Sequence, residues 1–143
     1  MFLLDTNVVS ELRKVRAGNA DSNVAAWAEQ VDSDTLFISA ITVQELEIGI
    51  LRKERSDAAQ GAILRTWLDD HVLPAFTNRI LPIDTAVARR SARLQVPNPQ
   101  PLSDCLIAAT ALVHGLVVVT RNVADFAPMG VEALNPWGIK DAK

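Results

Sequence analysis

The sequence predicts an α/β fold: a central, mostly parallel β-sheet flanked by helices on both faces. Three observations point there. Short apolar runs alternate with longer helical stretches along the whole chain, as in strand–helix–strand units. Leu116–Val119 is a continuous β-branched run, the composition of a strand buried on both sides. The 143 residues suit one hydrophobic core, so a single domain over 1–143 is expected. Right-handed crossovers between parallel strands then set helices on both faces of the sheet.

The elements follow in order. Phe2-Leu3-Leu4 is the first strand, stopped by the helix-capping residues Asp5-Thr6-Asn7. A short helix runs to about Lys14, and a polar loop follows from Arg16 to Asn23. Val24 to Val31 is helical, with Val24, Trp27 and Val31 on one face. Leu36-Phe37-Ile38 is the second strand, and Ile41 to Lys53 a helix with an apolar first half. Ala58 to about Val72 forms another helix, its inner side assigned to Ile63, Leu64, Trp67 and Leu68. Ile80–Ile83 is a strand whose proline suits a sheet edge. Thr85 to Leu94 is helical, with Asp84 as its cap. Pro97, Pro99 and Pro101 stiffen the next link. Ser103 is expected to cap a helix that runs to His114 and ends at Gly115. Beyond Leu116–Val119, Thr120 to Met129 is expected as a loop with a turn or two. Val131–Leu134 is the last candidate strand.

Composition excludes several function classes. The formal charge of −3 argues against a simple nucleic-acid-binding module. It weighs less against an enzyme whose acidic centre turns positive locally when cations fill it. Cys105 stands alone, so no internal disulfide forms, and no zinc pattern exists with His71 and His114 far apart. The N-terminal apolar stretch is too short for a signal peptide, and no segment reaches the roughly 20 apolar residues of a membrane span. The expectation is a soluble cytoplasmic protein without membrane contact. No glycine-rich phosphate loop is present.

Sites in open α/β sheets form beyond the carboxyl ends of the strands. Asp5 ends the first strand, and Thr120, Asn122 and Asp125 follow Leu116–Val119. Asp104 sits in the first turn of a helix that is apolar nearly all round, where the helix dipole favours a carboxylate. Glu45 shares a helix face with Ile41, Ile48 and Gly49, and Glu47 is flanked by Val43, Ile50 and Leu51. The two glutamates point about 160° apart, so they serve different surroundings, and periodicity does not choose between them. Several carboxylates without matching bases call for a cation, and hard oxygen ligands suit Mg²⁺ or Mn²⁺. A metal so held polarises a phosphoryl oxygen and activates water, the chemistry of phosphodiester hydrolysis. Taken singly, Asp5, Asp104 and Asp84 also read as helix-start residues. An aspartate-nucleophile phosphatase would want a second aspartate where Asn7 stands, and a phospho-receiver would want a lysine where Thr120-Arg121-Asn122 supplies none.

LLDTNVVSE, SAITVQELEIGI, LSDCLIAATAL, VVVTRNVADF and the C-terminal ALNPW occur in that order between residues 2 and 137. With these pieces the chain resembles the PIN-domain ribonucleases, specifically the VapC and FitB-like toxins of type II toxin–antitoxin pairs. The resemblance implies the PIN-domain fold. It implies a metal-binding catalytic set of Asp5, Glu45, Asp104 and Asp125, and it selects Glu45 over Glu47. It implies supporting roles for Asn7, Thr120 and Asn122. Cys105 stands where a small residue is common and is expected to pack. The resemblance further implies Mg²⁺- or Mn²⁺-dependent cleavage of single-stranded RNA regions, often in transfer RNA. It implies a homodimer and an inhibitory antitoxin through which alone DNA is contacted. The alternative is a non-catalytic PIN-like interaction module acting through that DNA-binding partner, against which the complete acid set argues.

Overall fold

A computed structural model describes residues 1–138. Five strands form one sheet: β1 (Phe2–Leu4), β2 (Leu36–Ser39), β3 (Ile80–Leu81), β4 (Val117–Val119) and β5 (Ala133–Leu134). Their order is β3-β2-β1-β4-β5, and every pairing is parallel. The proline-limited β3 lies at one edge, as its sequence suggests.

Strand alternation splits the interior into two cores. Leu4, Ile38 and Val119 face one side of the sheet, whereas Leu3 and Val118 face the other. The first side is covered by α1 (Thr6–Leu12), α2 (Ser22–Gln30), α3 (Ala40–Ser56) and α4 (Ala58–Trp67). Val8, Val9, Trp27, Leu46 and Ile50 pack there, with Leu68, Val72 and Phe76. These last three lie along a π-helical turn, Leu68–Val72, and just beyond the short helix α5 (Leu73–Ala75). The second side is covered by α6 (Thr85–Leu94), α7 (Leu102–His114) and α8 (Val123–Phe126). Cys105, Ile107, Ala108, Ala111 and Phe126 supply its packing. Cys105 is fully buried, its thiol against the Ser91 carbonyl.

Local chemistry accounts for the element ends. Asp5, Asp21, Ser39, Asp57 and Asp84 each accept backbone N–H bonds at a helix start. Gly115 ends α7 with φ +69°, a conformation that favours glycine. Three expectations are corrected. Ser103 does not cap α7: the helix begins at Leu102 with Pro101 at the cap position, because proline's fixed φ and missing N–H suit a helix entry. Ile63 does not face inward but is 58% exposed; Gly61 is the buried residue of α4. The segment after β4 is more ordered than a loop, with α8 followed by a 3₁₀ turn, Ala127–Met129. No described helix is long and apolar enough to cross a membrane.

Candidate active site

The sheet order reverses between β1 and β4. β2 and β3 lie to one side of β1, β4 and β5 to the other. A crevice opens at the carboxyl ends of strands at such a switch point. Asp5 and Thr120 stand there, one residue past each strand. The Asp5 N–H donates to the Val119 carbonyl at 2.9 Å, so the ladder itself sets the carboxylate's position.

Asp5 is 7% exposed and Thr120 is fully buried. One Asp5 oxygen accepts from the Thr6 N–H at 2.8 Å. The other accepts from the Thr120 hydroxyl at 2.8 Å, with the Asn7 amide at 3.4 Å. Thr120 in turn accepts from the Asn122 N–H at 3.0 Å, and Asn7 accepts from the Arg121 N–H at 3.3 Å. Asn7, Thr120 and Asn122 thus form one network around Asp5. All its donors are neutral, so the negative charge of Asp5 is oriented but not cancelled.

The two helix glutamates separate. Glu45 accepts a short hydrogen bond from the Thr6 hydroxyl, which also lies 3.4 Å from the Thr42 hydroxyl. Thr6 is the residue after Asp5, so this one residue links the two acids, by its N–H to Asp5 and its hydroxyl to Glu45. Glu47 pairs with Arg65 of α4 at 2.5 Å, and Arg65 also reaches Glu54 at 3.3 Å. The apolar face expected around Glu45 is half-open, with Ile48 38% exposed. Asp104 lies in the first turn of α7, and Asp125 on α8.

The four acids share one electrostatic field. Burial pushes the Asp5 carboxyl above its ordinary value; the Thr120 and Thr6 hydrogen bonds pull it back, and the charges of Glu45 and Asp125 push it up again. Asp104 is raised first by burial, then by the charges of Asp5, Asp125 and Glu45. Among the described residues, no lysine or arginine forms an ion pair with any of the four. Nor, among the described residues, do three or more acidic, histidine or cysteine side chains stand close enough together to hold a metal ion as placed. An all-oxygen set held by neutral donors and open to solvent fits Mg²⁺ or Mn²⁺. Such ions keep several waters and take only one or two carboxylates at full contact.

Two surface grooves lie beside this centre, not in it. One of about 300 Å³ runs from Thr6 and Glu45 past Arg13 and Lys53 to Trp67. Another, about 450 Å³, places Glu45 beside Ile48, Leu102 and Leu106. Asp5 and Asp104 line neither, so charge and burial identify the centre better than concavity does.

Two features escape the sequence. Thr6 reads as a capping residue, yet its hydroxyl holds Glu45. Arg121 lies between Thr120 and Asn122, and its guanidinium sits 5.1 Å from the Trp137 ring centroid. The two are 16 positions apart in sequence, and only the adjacency of β4 and β5 brings them together. A cation inside an acidic motif was the available signal.

Comparison with known proteins gives a consistent set. The PIN domain family matches residues 2–128. A VapC ribonuclease, Y4jK of Sinorhizobium fredii, is 37% identical, covering 96% of this chain and 98% of its own. Toxin FitB of Neisseria gonorrhoeae is 34% identical, covering 96% and 99%. The crystal structure of FitAcB from Neisseria gonorrhoeae superposes with a TM-score of 0.86 at 34% identity, over 96% of this chain and 99% of that one. The structure of FitAB bound to an IR36 DNA fragment gives 0.81 at 32% identity, over 96% of each chain. A toxin–antitoxin complex from Klebsiella pneumoniae gives 0.65 at 27% identity, over 95% and 98%.

Proposed function

The chain belongs to the PIN-domain family, and from that premise we propose that it is a Mg²⁺- or Mn²⁺-dependent endoribonuclease acting as the toxin of a type II toxin–antitoxin pair. Its reaction is hydrolysis of phosphodiester bonds in single-stranded RNA regions, transfer RNA included. The observation that carries this reading is the unneutralised field of Asp5, Glu45, Asp104 and Asp125 at the switch point of the sheet. Relatives named as ribonucleases and toxins over nearly the full chain support it.

The four acids would hold the ion between them. When bound, it would polarise a phosphoryl oxygen and lower the pKa of an attacking water. The protein's part is placement. Thr120, Thr6 and Asn7 fix both oxygens of Asp5 so that the carboxylate need not reorganise on binding. The Thr6 hydroxyl holds Glu45 toward the same centre. α7 carries Asp104 on its first turn, where the dipole lessens the cost of another negative charge.

Solved relatives include a toxin–antitoxin complex and a DNA-bound assembly. By analogy the partner is an antitoxin that blocks the acidic centre and contacts DNA itself. A homodimer, which the family resemblance implies, and a place in the cytoplasm belong to the same proposal.

The test is direct. Purified protein should cleave single-stranded RNA with Mg²⁺ or Mn²⁺ and not in EDTA. Asp5→Asn and Asp104→Asn should each lower the rate by roughly 100-fold or more, the usual cost of deleting a charge-organising group. Glu47→Gln should stay active, since Glu47 is tied to Arg65. Full cleavage in EDTA would overturn the proposal, and an inert Glu47→Gln beside an active Glu45→Gln would reassign the helix acid.

A further inference from the structure

We infer that Arg121, stacked on Trp137, is a phosphate-binding element that holds the RNA strand beside the carboxylate centre; this rests on the ribonuclease reading above. Its position is the first argument. Arg121 follows Thr120, which bonds Asp5, and its N–H is held by Asn7, whose amide reaches the same carboxylate. Its backbone is thereby fixed to the rim of the acidic centre.

The second argument is what its side chain does there. Its backbone adjoins the acidic centre, yet the Arg121 guanidinium forms no ion pair with any described residue. It is exposed and lies over the Trp137 indole. The Trp137 main chain that carries the indole is itself anchored. The Trp137 N–H donates to Asn135 at 2.9 Å, and its carbonyl accepts from the Asn23 side chain at 2.6 Å. Trp137 also packs against the core beneath α1 and α2. A stacked guanidinium keeps its edge N–H groups available, and that planar fork matches two phosphate oxygens. Stacking therefore preorganises a cation without consuming its hydrogen bonds.

The third argument is electrostatic. A chain of charge −3 with an acidic centre repels an RNA backbone at a distance. A fixed cation at the rim offsets that locally for a phosphate neighbouring the scissile one. The metal-binding acids cannot supply this contact.

Binding of a fluorescent single-stranded RNA oligonucleotide in Mg²⁺, across a salt series, reads the contact directly. Asp104→Asn serves as the non-cleaving background. Adding Arg121→Gln should weaken binding roughly 10-fold, the worth of one charge-assisted contact. The slope of log affinity against log salt should shrink by about 0.7, one phosphate's share on a single strand. Arg121→Lys should retain the slope, because the charge remains. With Asp104 intact, Arg121→Gln should raise KM more than it lowers kcat. An unchanged affinity and slope in Arg121→Gln, with wild-type protein still cleaving RNA, overturns the inference alone. Equal slopes with both variants melting early would make the stack purely structural and overturn it too. Wild-type protein that neither binds nor cleaves RNA removes the ribonuclease reading itself, and this inference with it.

Discussion

Burial and three neighbouring carboxylates all work against the charge on Asp104, and Asp5 sits in the same field. Both groups bind a proton more tightly folded than unfolded. Their contribution to stability is therefore greatest below the ordinary carboxylate pKa of 3.8. It is lost as pH rises from there through the raised folded values. Above that window the metal-free protein carries an unrelieved repulsion. Asp104→Asn keeps the shape and removes one charge, so in EDTA at neutral pH it should melt above wild type. Solvent screens this half-buried group, so the gain should be about 1 kcal/mol. The difference should vanish as pH falls into the carboxylate range, where wild-type Asp104 is protonated. Thermal melts at pH 7 and pH 4 check both statements. A mutant less stable in EDTA at both would make Asp104 a structural helix-start residue. At this scale the sequence left one matter open, the surroundings of the two helix glutamates. Periodicity shows Glu45 and Glu47 on different faces, but not that Arg65, about five turns away in sequence, comes back to meet Glu47.

Between elements, α3 and α4 approach each other closely at Gly61. A Cβ on Gly61 would lie 2.6 Å from the Glu54 Cα, a backbone atom that cannot rotate away. Gly61→Ala gains helix propensity of up to about 1 kcal/mol. It must also push two helices apart, and overpacking of that kind costs about 1–3 kcal/mol. The net expectation is a loss on the order of 1–2 kcal/mol in urea denaturation, with the Arg65 bridge between the helices weakened as well. A variant as stable as wild type would show that the helices separate freely. This contact also explains why the inner face of α4 was misassigned. Ile63 is the more hydrophobic residue, but α4 presses on α3 through Gly61, which turns Ile63 outward to 58% exposure. Apolar pattern reports which residues prefer burial. It carries no information about how closely a neighbouring backbone comes. Helix starts show the same limit: Asp84 caps α6 as its sequence suggests, whereas the α7 start moved from Ser103 to Leu102 because prolines shape the entry.

At the scale of the molecule, alternation of short apolar runs and helices was enough to imply a parallel sheet with two covered faces. Strand order was not contained in that pattern, because nothing local says on which side of β1 the chain returns. The order β3-β2-β1-β4-β5 is what brings Asp5 and Thr120 together across 115 positions. Asp104 and Asp125 join them only through the placement of α7 and α8 against that sheet. The fold thus gathers charges that the chain keeps apart, and it does so at a cost that a bound cation would reverse. A cation that binds the folded centre and not the unfolded chain must stabilise the fold by mass action. Wild-type protein should therefore melt higher in Mg²⁺ than in EDTA, by about 2.7 kcal/mol when the ion stands at one hundred times its Kd. That corresponds to a rise on the order of 8 °C for a domain of this size. The response should follow the logarithm of metal concentration and fall steeply in Asp5→Asn, whose carboxylate is the best ordered of the four. Glu47→Gln should respond as wild type does. Melting curves across a Mg²⁺ series, with sodium at matched ionic strength, separate this from general screening. If matched sodium reproduced the whole shift, the acids would repel one another without forming a metal site, and the catalytic assignment would lose its physical basis.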